Sequence, residues 1–363
     1  MRKLGHVPPL DALRGIAIAL VLGGHAGYAI PGGALGVDLF FVLSGFLITS
    51  LLLNEWHERG QVNLLAFYRR RALRLLPALA ALLGAYCLAV GFLTLTGRRP
   101  VQDLGDALLG SLFGLAYATN VAHLAGPLPV GEFAHLWSLA EEEQFYLLWP
   151  PILLLVLSFR LSPRRLIIAL AVLAAASATE QATLWLGGAS INRIWLGPDT
   201  HAYPLLLGCL AGIAFTNGKI RRVPGWLMAI ACITSVWTLA FGVVQYPFFT
   251  LAATVLVLGC VLEQGSPIVR LLDQWPLRAL GIISYGLYLW QGVVLQTGFG
   301  VFPERSGLIA LPAIGVAIAC AVLSYYLVER PFLRRKRRFR MERSPLESRR
   351  PEVSETKLAE AAV

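Results

Sequence analysis

LDALRGIAIALVLGGHAGY, Leu10 to Tyr28, is an apolar run of helix length that nevertheless carries Asp11, Arg14 and His25. Ionisable groups in hydrocarbon cost several kcal/mol or more, so they are rare there and mark function when they occur. Eleven positions separate Arg14 from His25. At 100° per residue that is close to three turns, so both side chains share one helix face, about 16 Å apart along the axis. A first helix that presents a fixed cation near one membrane surface and an imidazole deeper in predicts a membrane-embedded, all-α chain built around that face.

Composition agrees. The chain has 363 residues, 56% hydrophobic and 14% charged, with a mean hydropathy of +0.65. Soluble domains are nearer a quarter charged, and several apolar runs approach the ~20 residues that span a bilayer. The net charge of +10 does not indicate nucleic acid, because the basic residues fall in short clusters between apolar runs and in the tail. That is the pattern of a positive-inside topology, and it suits anionic lipid or a phosphate-bearing cofactor. Cys87, Cys209, Cys232, Cys260 and Cys320 all lie in apolar runs with no CxxC or metal spacing, so they read as small core residues and no metal site is expected.

The hydrophobic runs predict ten spans, at 10–30, 35–54, 75–95, 137–158, 166–186, 201–217, 224–244, 246–263, 277–297 and 307–329. The clusters Arg2/Lys3, Arg69/Arg70/Arg71/Arg74, Arg160/Arg164/Arg165, Lys219/Arg221/Arg222, Arg270 and the tail from Arg334 then face one side. Arg98, Arg99, Arg193 and Arg305 face the other. This puts both termini in the cytoplasm. The stretch 104–123 is apolar enough for an eleventh crossing, which would carry the basic tail outside. It is therefore expected to re-enter or to lie on the outer face, as one extra helix. The domain expectation is a membrane-embedded unit over 1–333 and a basic, unfolded cytoplasmic tail over 334–363 that meets the lipid surface. Asp11 and Arg14 interrupt what would otherwise be a signal-peptide core, so the first segment is expected to remain as a span.

Polar groups at membrane depth supply the candidate site. On the first helix, His25 is a candidate general base and Arg14 an electrostatic anchor; the plainer reading is a satisfied buried histidine and an arginine that snorkels to the surface. In GVDLFFVLSGFL, Gly36 to Leu47, Asp38 either orients the imidazole of His25 or caps its helix, while Ser44-Gly45 permits close helix packing. YRRRALRLLP, Tyr68 to Pro77, is expected as a cytoplasmic basic loop whose short helix gathers Arg70, Arg71 and Arg74. Arginine forks bind phosphate, although alone the loop reads as an ordinary positive-inside signal. HLWSLAEEEQFY, His135 to Tyr146, places His135, Ser138, Glu142 and Tyr146 on one stripe. Of its three carboxylates, Glu142 is the first candidate to meet His25 and Glu143 the second, with Glu141 a solvated entrance charge. In SYGLYLWQ, Ser284, Tyr288 and Gln291 share a face that lines an acceptor pocket or, more simply, bonds between helices. Glu329-Arg330-Pro331 reads as an interfacial stop.

Taken together, LDALRGIAIALVLGGH, GVDLFFVLSGFLI, RRRALRLLP, HLWSLAEEEQFYLLWP, SYGLYLW and VERPFL resemble, in order and from about residue 10 to 333, the acyltransferase-3 family of integral membrane O-acyltransferases. The resemblance implies a ten-span bundle that moves an acyl group, usually acetyl from acetyl-CoA, onto a hydroxyl of a carbohydrate or other acceptor. It implies that Arg14 and His25 are an essential pair, that Arg71 and Arg74 match an RxxR motif, and that Glu142 and Glu143 match a glutamate pair. Two departures stand out: Glu141 replaces a usually apolar residue, and Gln291 stands where many members have His, which argues that the chemistry needs no proton transfer there. Some relatives carry an extra soluble domain that hands the acyl group onward; a chain ending soon after its last span is expected to accept and deliver the group itself.

The expected working parts are then His25, Glu142, Glu143 and Asp38 for chemistry, and Arg14, Arg70, Arg71 and Arg74 for the donor. His135, Ser138, Tyr146 and Tyr288 are expected to line the acceptor pocket. The expected donor is acetyl-CoA or another acyl-CoA, used as a substrate rather than as a tightly bound cofactor. The acceptor class spans polysaccharide, glycolipid and macrolide, and the location is the cell (inner) membrane. Direct transfer and an acyl-histidine intermediate both fit. A transporter or flippase for a glycolipid or antibiotic is the rival class; no inverted repeat or broken-helix pair supports it.

Overall fold

In the computed structural model, residues 2–26, 33–126, 128, 131–160, 162–241, 246–297 and 310–334 are described. The expected tail over 335–363 and the ends of three expected spans, 27–30, 242–244 and 307–309, lie outside them.

Apolar composition makes every described element helical, and side-chain caps from Asn63, Ser162 and Ser190 start three of the helices. The helices are α1 (Pro8–His25), α2 (Leu35–Arg59), α3 (Leu64–Leu95), α4 (Val101–Leu115), α5 (Thr119–Ala125), α6 (Trp137–Ser158) and α7 (Pro163–Leu186). They continue with α8 (Ile191–Leu196), α9 (Tyr203–Thr216), α10 (Gly225–Phe241), α11 (Tyr246–Leu262), α12 (Pro267–Leu272), α13 (Trp275–Gln291) and α14 (Ala310–Ser324). A 3-10 turn, Gly131–Leu136, leads into α6. Helices α13 and α14 loosen into π-helical turns at Gly292–Thr297 and Tyr325–Glu329. The expected all-α class is what the structure has. By length and composition α2, α3, α7 and the helix Ala310–Arg334 are sufficient to cross a membrane, and α9, α10 and α11 are shorter apolar helices.

Two expected elements take another form. The stretch 104–123 is not one helix but two. Tyr117 adopts a left-handed φ of 51° between α4 and α5, and Gln144 Nε2 on α6 donates to the freed Tyr117 carbonyl at 2.8 Å. With 15 residues, α4 rises roughly 22 Å, short of the ~30 Å hydrocarbon core. The basic stretch 68–77 is not a loop either. Asn63 caps α3 by accepting from the Ala66 amide at 2.8 Å, so the helix starts at Leu64 and carries Arg71 two turns into the bundle.

Helix packing sets the frame of the site. Helices α1 and α13, and α2 and α9, run closely together. A methyl group at Gly15 would meet the Leu277 carbonyl, and one at Gly281 the Asp11 carbonyl. With no lipid-against-lipid hydrophobic drive between helices, such backbone approach is how they bind. One core joins Ile18, Leu82, Leu287 and Tyr288; a second joins Leu13, Phe46, Phe215 and Val257.

Candidate active site

Helix α6 enters the bundle with three successive glutamates about 100° apart around its axis, and each finds a different partner. Glu143 pairs with Arg71, whose Nε donates to its two carboxylate oxygens at 2.8 and 2.9 Å. Arg71 Nη2 also bonds Glu143 Oε1, and the guanidinium lies 3.1 Å above the centre of the Tyr146 ring. Glu142 accepts from Ser44 Oγ at 2.5 Å and Tyr146 OH at 2.9 Å, with Arg71 Nη2 3.7 Å away. Glu141 turns inward, only 4% exposed, with Oε2 3.8 Å from His201 Nδ1.

Arg74, one turn beyond Arg71, behaves differently. It is exposed and has no hydrogen-bonded or ion-paired side chain among the described residues. It lies within electrostatic reach of Arg14, Arg71, Glu142, Glu143 and the buried Glu329. Arg14 is partly buried and bonds Asp11 Oδ1 at 2.8 Å. Arg70 points elsewhere, 3.8 Å from Glu55 on α2. Three arginines from α1 and α3 thus gather around one place, and only Arg74 has its charge unspent.

His25 closes α1. Its Nδ1 lies 2.7 Å from Gln291 Oε1 at the end of α13, and Gln291 Nε2 donates to the Tyr288 carbonyl at 3.3 Å. A knot of bonds holds this corner. The Tyr288 hydroxyl donates to the His135 carbonyl, Ser138 Oγ meets that hydroxyl at 2.7 Å, and His135 Nε2 donates to the Leu289 carbonyl at 3.2 Å.

These contacts correct several expectations. His25 pairs with neither Glu142 nor Glu143 nor Asp38 but with Gln291, an amide that holds the ring without transferring a proton. Asp38 instead takes His201 Nε2 at 2.7 Å, both fully buried. A buried carboxylate needs a donor, and the turn before α9 brings the His201 imidazole closer than α1 brings that of His25. Glu141 is not a solvated entrance charge, because α6 begins at Trp137 and turns it toward the same imidazole. Arg71 does not lie in a loop apart from the glutamates but bonds Glu143, because α3 is helical through its basic stretch. His135, Ser138, Tyr146 and Tyr288 are all buried and lock helices together. Glu329 is buried in the last helix, not exposed at an interfacial stop.

His201 escaped the sequence reading. Its ring is held by Asp38, by donation from Nδ1 to the Trp195 carbonyl at 3.1 Å, and by stacking on Trp137 with centroids 5.5 Å apart. The only signal was a lone histidine at the threshold of an apolar run. Outside the spans, Arg193 bonds both Asp199 and Glu180; that contact holds the Asp199 carboxyl below the usual carboxylate range.

The model of a family described as an acyltransferase domain matches residues 8–326. "Putative peptidoglycan O-acetyltransferase YrhL" of Bacillus subtilis (strain 168) is 31% identical over 354 residues, covering 90% of this chain and 55% of the relative. Peptidoglycan O-acetyltransferase OatA of Listeria monocytogenes is 29% identical over 353 residues, 90% of this chain and 56% of the relative. O-acetyltransferase OatA of Staphylococcus aureus (strain NCTC 8325 / PS 47) is 27% identical over 357 residues, 92% of this chain and 58% of the relative. The chain thus spans little more than half the length of the curated relatives it matches. No solved structure matches it.

Proposed function

Because the chain belongs to the acyltransferase-3 family, with its acyltransferase domain over residues 8–326, we propose that it is a membrane O-acyltransferase that moves acetyl from acetyl-CoA onto a carbohydrate hydroxyl. The bundle crosses the membrane ten times, with both termini in the cytoplasm, and the tail beyond Arg334 meets the inner lipid surface. The donor arrives from the cytoplasmic side. The acceptor class follows the Bacillus and Listeria relatives, whose names give peptidoglycan as theirs.

One observation carries the reading: a single helix, α1, brings a partly buried imidazole and an arginine to two ends of one face, and the arginine end is completed by the uncompensated Arg74. The free guanidinium suits a phosphate of the donor, since arginine binds phosphate through paired, charge-assisted hydrogen bonds. Arg71, bonded to Glu143, adds a second guanidinium nearby. The acyl-bearing arm then needs to reach about 16 Å along α1 to His25, as the helical rise requires.

At His25 the step is a general-base transfer. The ring nitrogen takes the proton of the acceptor hydroxyl as its oxygen attacks the thioester carbonyl. The tetrahedral adduct collapses, the carbon–sulfur bond breaks, and the leaving thiolate takes the proton back from the imidazolium. Such assistance contributes typically 10²–10⁴-fold. Ser138, Tyr288 and His135 act by holding the corner.

The test is transfer of label from radioactive acetyl-CoA to carbohydrate by the purified protein. Wild type is expected to move the label and His25→Ala to move none while still extracting from the membrane as a folded protein. A wild-type rate for His25→Ala ends the proposal; label that stays on CoA with the wild type favours transport of a glycolipid or antibiotic instead.

A further inference from the structure

We infer that Gln291 is a positioning residue that locks the neutral imidazole of His25 in the Nδ1–H tautomer and leaves Nε2 as the one nitrogen able to take a proton. This rests on the general-base reading of His25 and deepens it. The two ends of the Gln291 side chain are distinguished by their surroundings. Its Nε2 donates to the Tyr288 carbonyl at 3.3 Å, so the amide oxygen is the end that faces His25, 2.7 Å from Nδ1. An amide oxygen only accepts. Nδ1 of the neutral ring must therefore carry the hydrogen, and the lone pair is left on Nε2.

The amide is held firmly enough to choose. Gln291 is fully buried and is the last residue of α13 before the backbone passes into the π-helical turn at Gly292–Thr297. Gly292 lies flat against the His135 ring, where any Cβ would collide. His135 in turn donates to the Leu289 carbonyl, and Tyr288 is tied to the His135 carbonyl and Ser138. A π-turn of this kind often accompanies a functional side chain, because it re-aims the residues beside it.

The partner is also neutral, which has a chemical consequence. Among the described residues no charged side chain bonds to His25. Of the titratable groups on the adjoining elements, His135 and Tyr288 are bonded within the knot, and Asp38 on α2 is spent on His201. The imidazolium formed during transfer is thus stabilised by an amide dipole and not by a carboxylate. That favours prompt return of the proton to the leaving thiolate.

Three variants test this, read as kcat, KM and pH profile in the acetyl-transfer assay. Gln291→Ala is expected to lower kcat roughly 2- to 13-fold, the worth of one hydrogen bond, with KM for acetyl-CoA unchanged. Gln291→Glu keeps an accepting oxygen opposite Nδ1 and adds a charge. It is expected to remain active with the acid limb of its kcat profile moved up by about one pH unit or more. Gln291→Asn, which withdraws the amide by one methylene, is expected to resemble Gln291→Ala. A purely structural role would move none of the pH limbs. A folded Gln291→Glu protein whose profile overlays that of wild type, or which is inactive at every pH, overturns the inference, as does a Gln291→Ala effect confined to KM. Should Gln291→Ala not fold, the Gln291→Glu profile decides alone. Activity in His25→Ala would sink the general-base reading itself; an inactive His25→Ala beside an unshifted Gln291→Glu sinks only the tautomer assignment.

Discussion

Replacing Arg71 and Arg74 by alanine, one at a time, is expected to separate two arginines that a sequence motif treats as a pair. Arg71 is fully engaged: three bonds to Glu143, a ring stack on Tyr146, and proximity to Glu142. Its removal strands Glu143, whose side chain is only 12% exposed. Breaking a buried pair by deleting one partner costs about 3–5 kcal/mol, a large share of the roughly 5–15 kcal/mol that holds a typical protein folded. Arg74 has no such partner to strand, so Arg74→Ala should change stability by no more than about 0.5 kcal/mol. Its loss should appear in donor binding instead. One charge-assisted hydrogen bond to a phosphate is worth about 1.5–3 kcal/mol, or roughly a 10- to 150-fold rise in KM for acetyl-CoA when KM reports binding. Unfolding of the detergent-purified proteins, followed by tryptophan fluorescence, gives the first quantity, and initial rates against acetyl-CoA concentration give the second. The KM effect should shrink as salt screens the wild-type contact. The reasoning is refuted if Arg71→Ala is as stable as wild type, or if Arg74→Ala unfolds early with an unchanged KM.

Other consequences follow from the same packing. Asp38→Ala and His201→Ala should each destabilise strongly, while the double variant costs less than the two together by about 0.5–3 kcal/mol, the usual range for groups in contact; an additive result in a double-mutant cycle would contradict the buried pair. Gly281→Ala drives a methyl into the Asp11 carbonyl and should cost about 1–3 kcal/mol. It should also lower acetyl transfer, since His25 rides on α1 and Gln291 on α13; Gly5→Ala, with open space around it, is the neutral control. The Arg193–Asp199 pair should stabilise fully above the ordinary aspartate pKa of ~4 and fade as pH falls through the lowered value of Asp199. The gap in unfolding temperature between wild type and Asp199→Asn should therefore stay level from neutrality to about pH 5 and close below pH ~4. Partial exposure keeps it small.

Much of the helical plan can be read directly from residues. The hydrophobic runs at 137–158, 246–263 and 277–297 coincide closely with α6, α11, and α13 with its π-helical extension. The interval from Arg14 to His25 places both on α1, and Ser138, Glu142 and Tyr146 do lie along α6. The exceptions mark where local signals were overruled. A run of four arginines looked like a loop, yet Asn63 caps a helix through it. An apolar run at 104–123 looked continuous, yet it breaks at Tyr117, where Gln144 satisfies the exposed carbonyl.

The amino-acid sequence alone determined that this is an all-α membrane chain of the acyltransferase-3 kind, and that Arg14 with His25, and Ser138 with Glu142 and Tyr146, share a helix. Only the tertiary structure decided their partners: His25 with Gln291, 266 positions away, Asp38 with His201 rather than His25, and Arg74 with no hydrogen-bonded or ion-paired side chain among the described residues. The reason is geometric. Helical periodicity fixes the direction in which a side chain leaves its own axis, because that depends on neighbours three and four residues away. What stands in that direction depends on how distant helices are brought together, here by glycine contacts such as Gly15 on Leu277 and Gly281 on Asp11. The desolvation cost of each buried charge then selects the nearest group able to meet it.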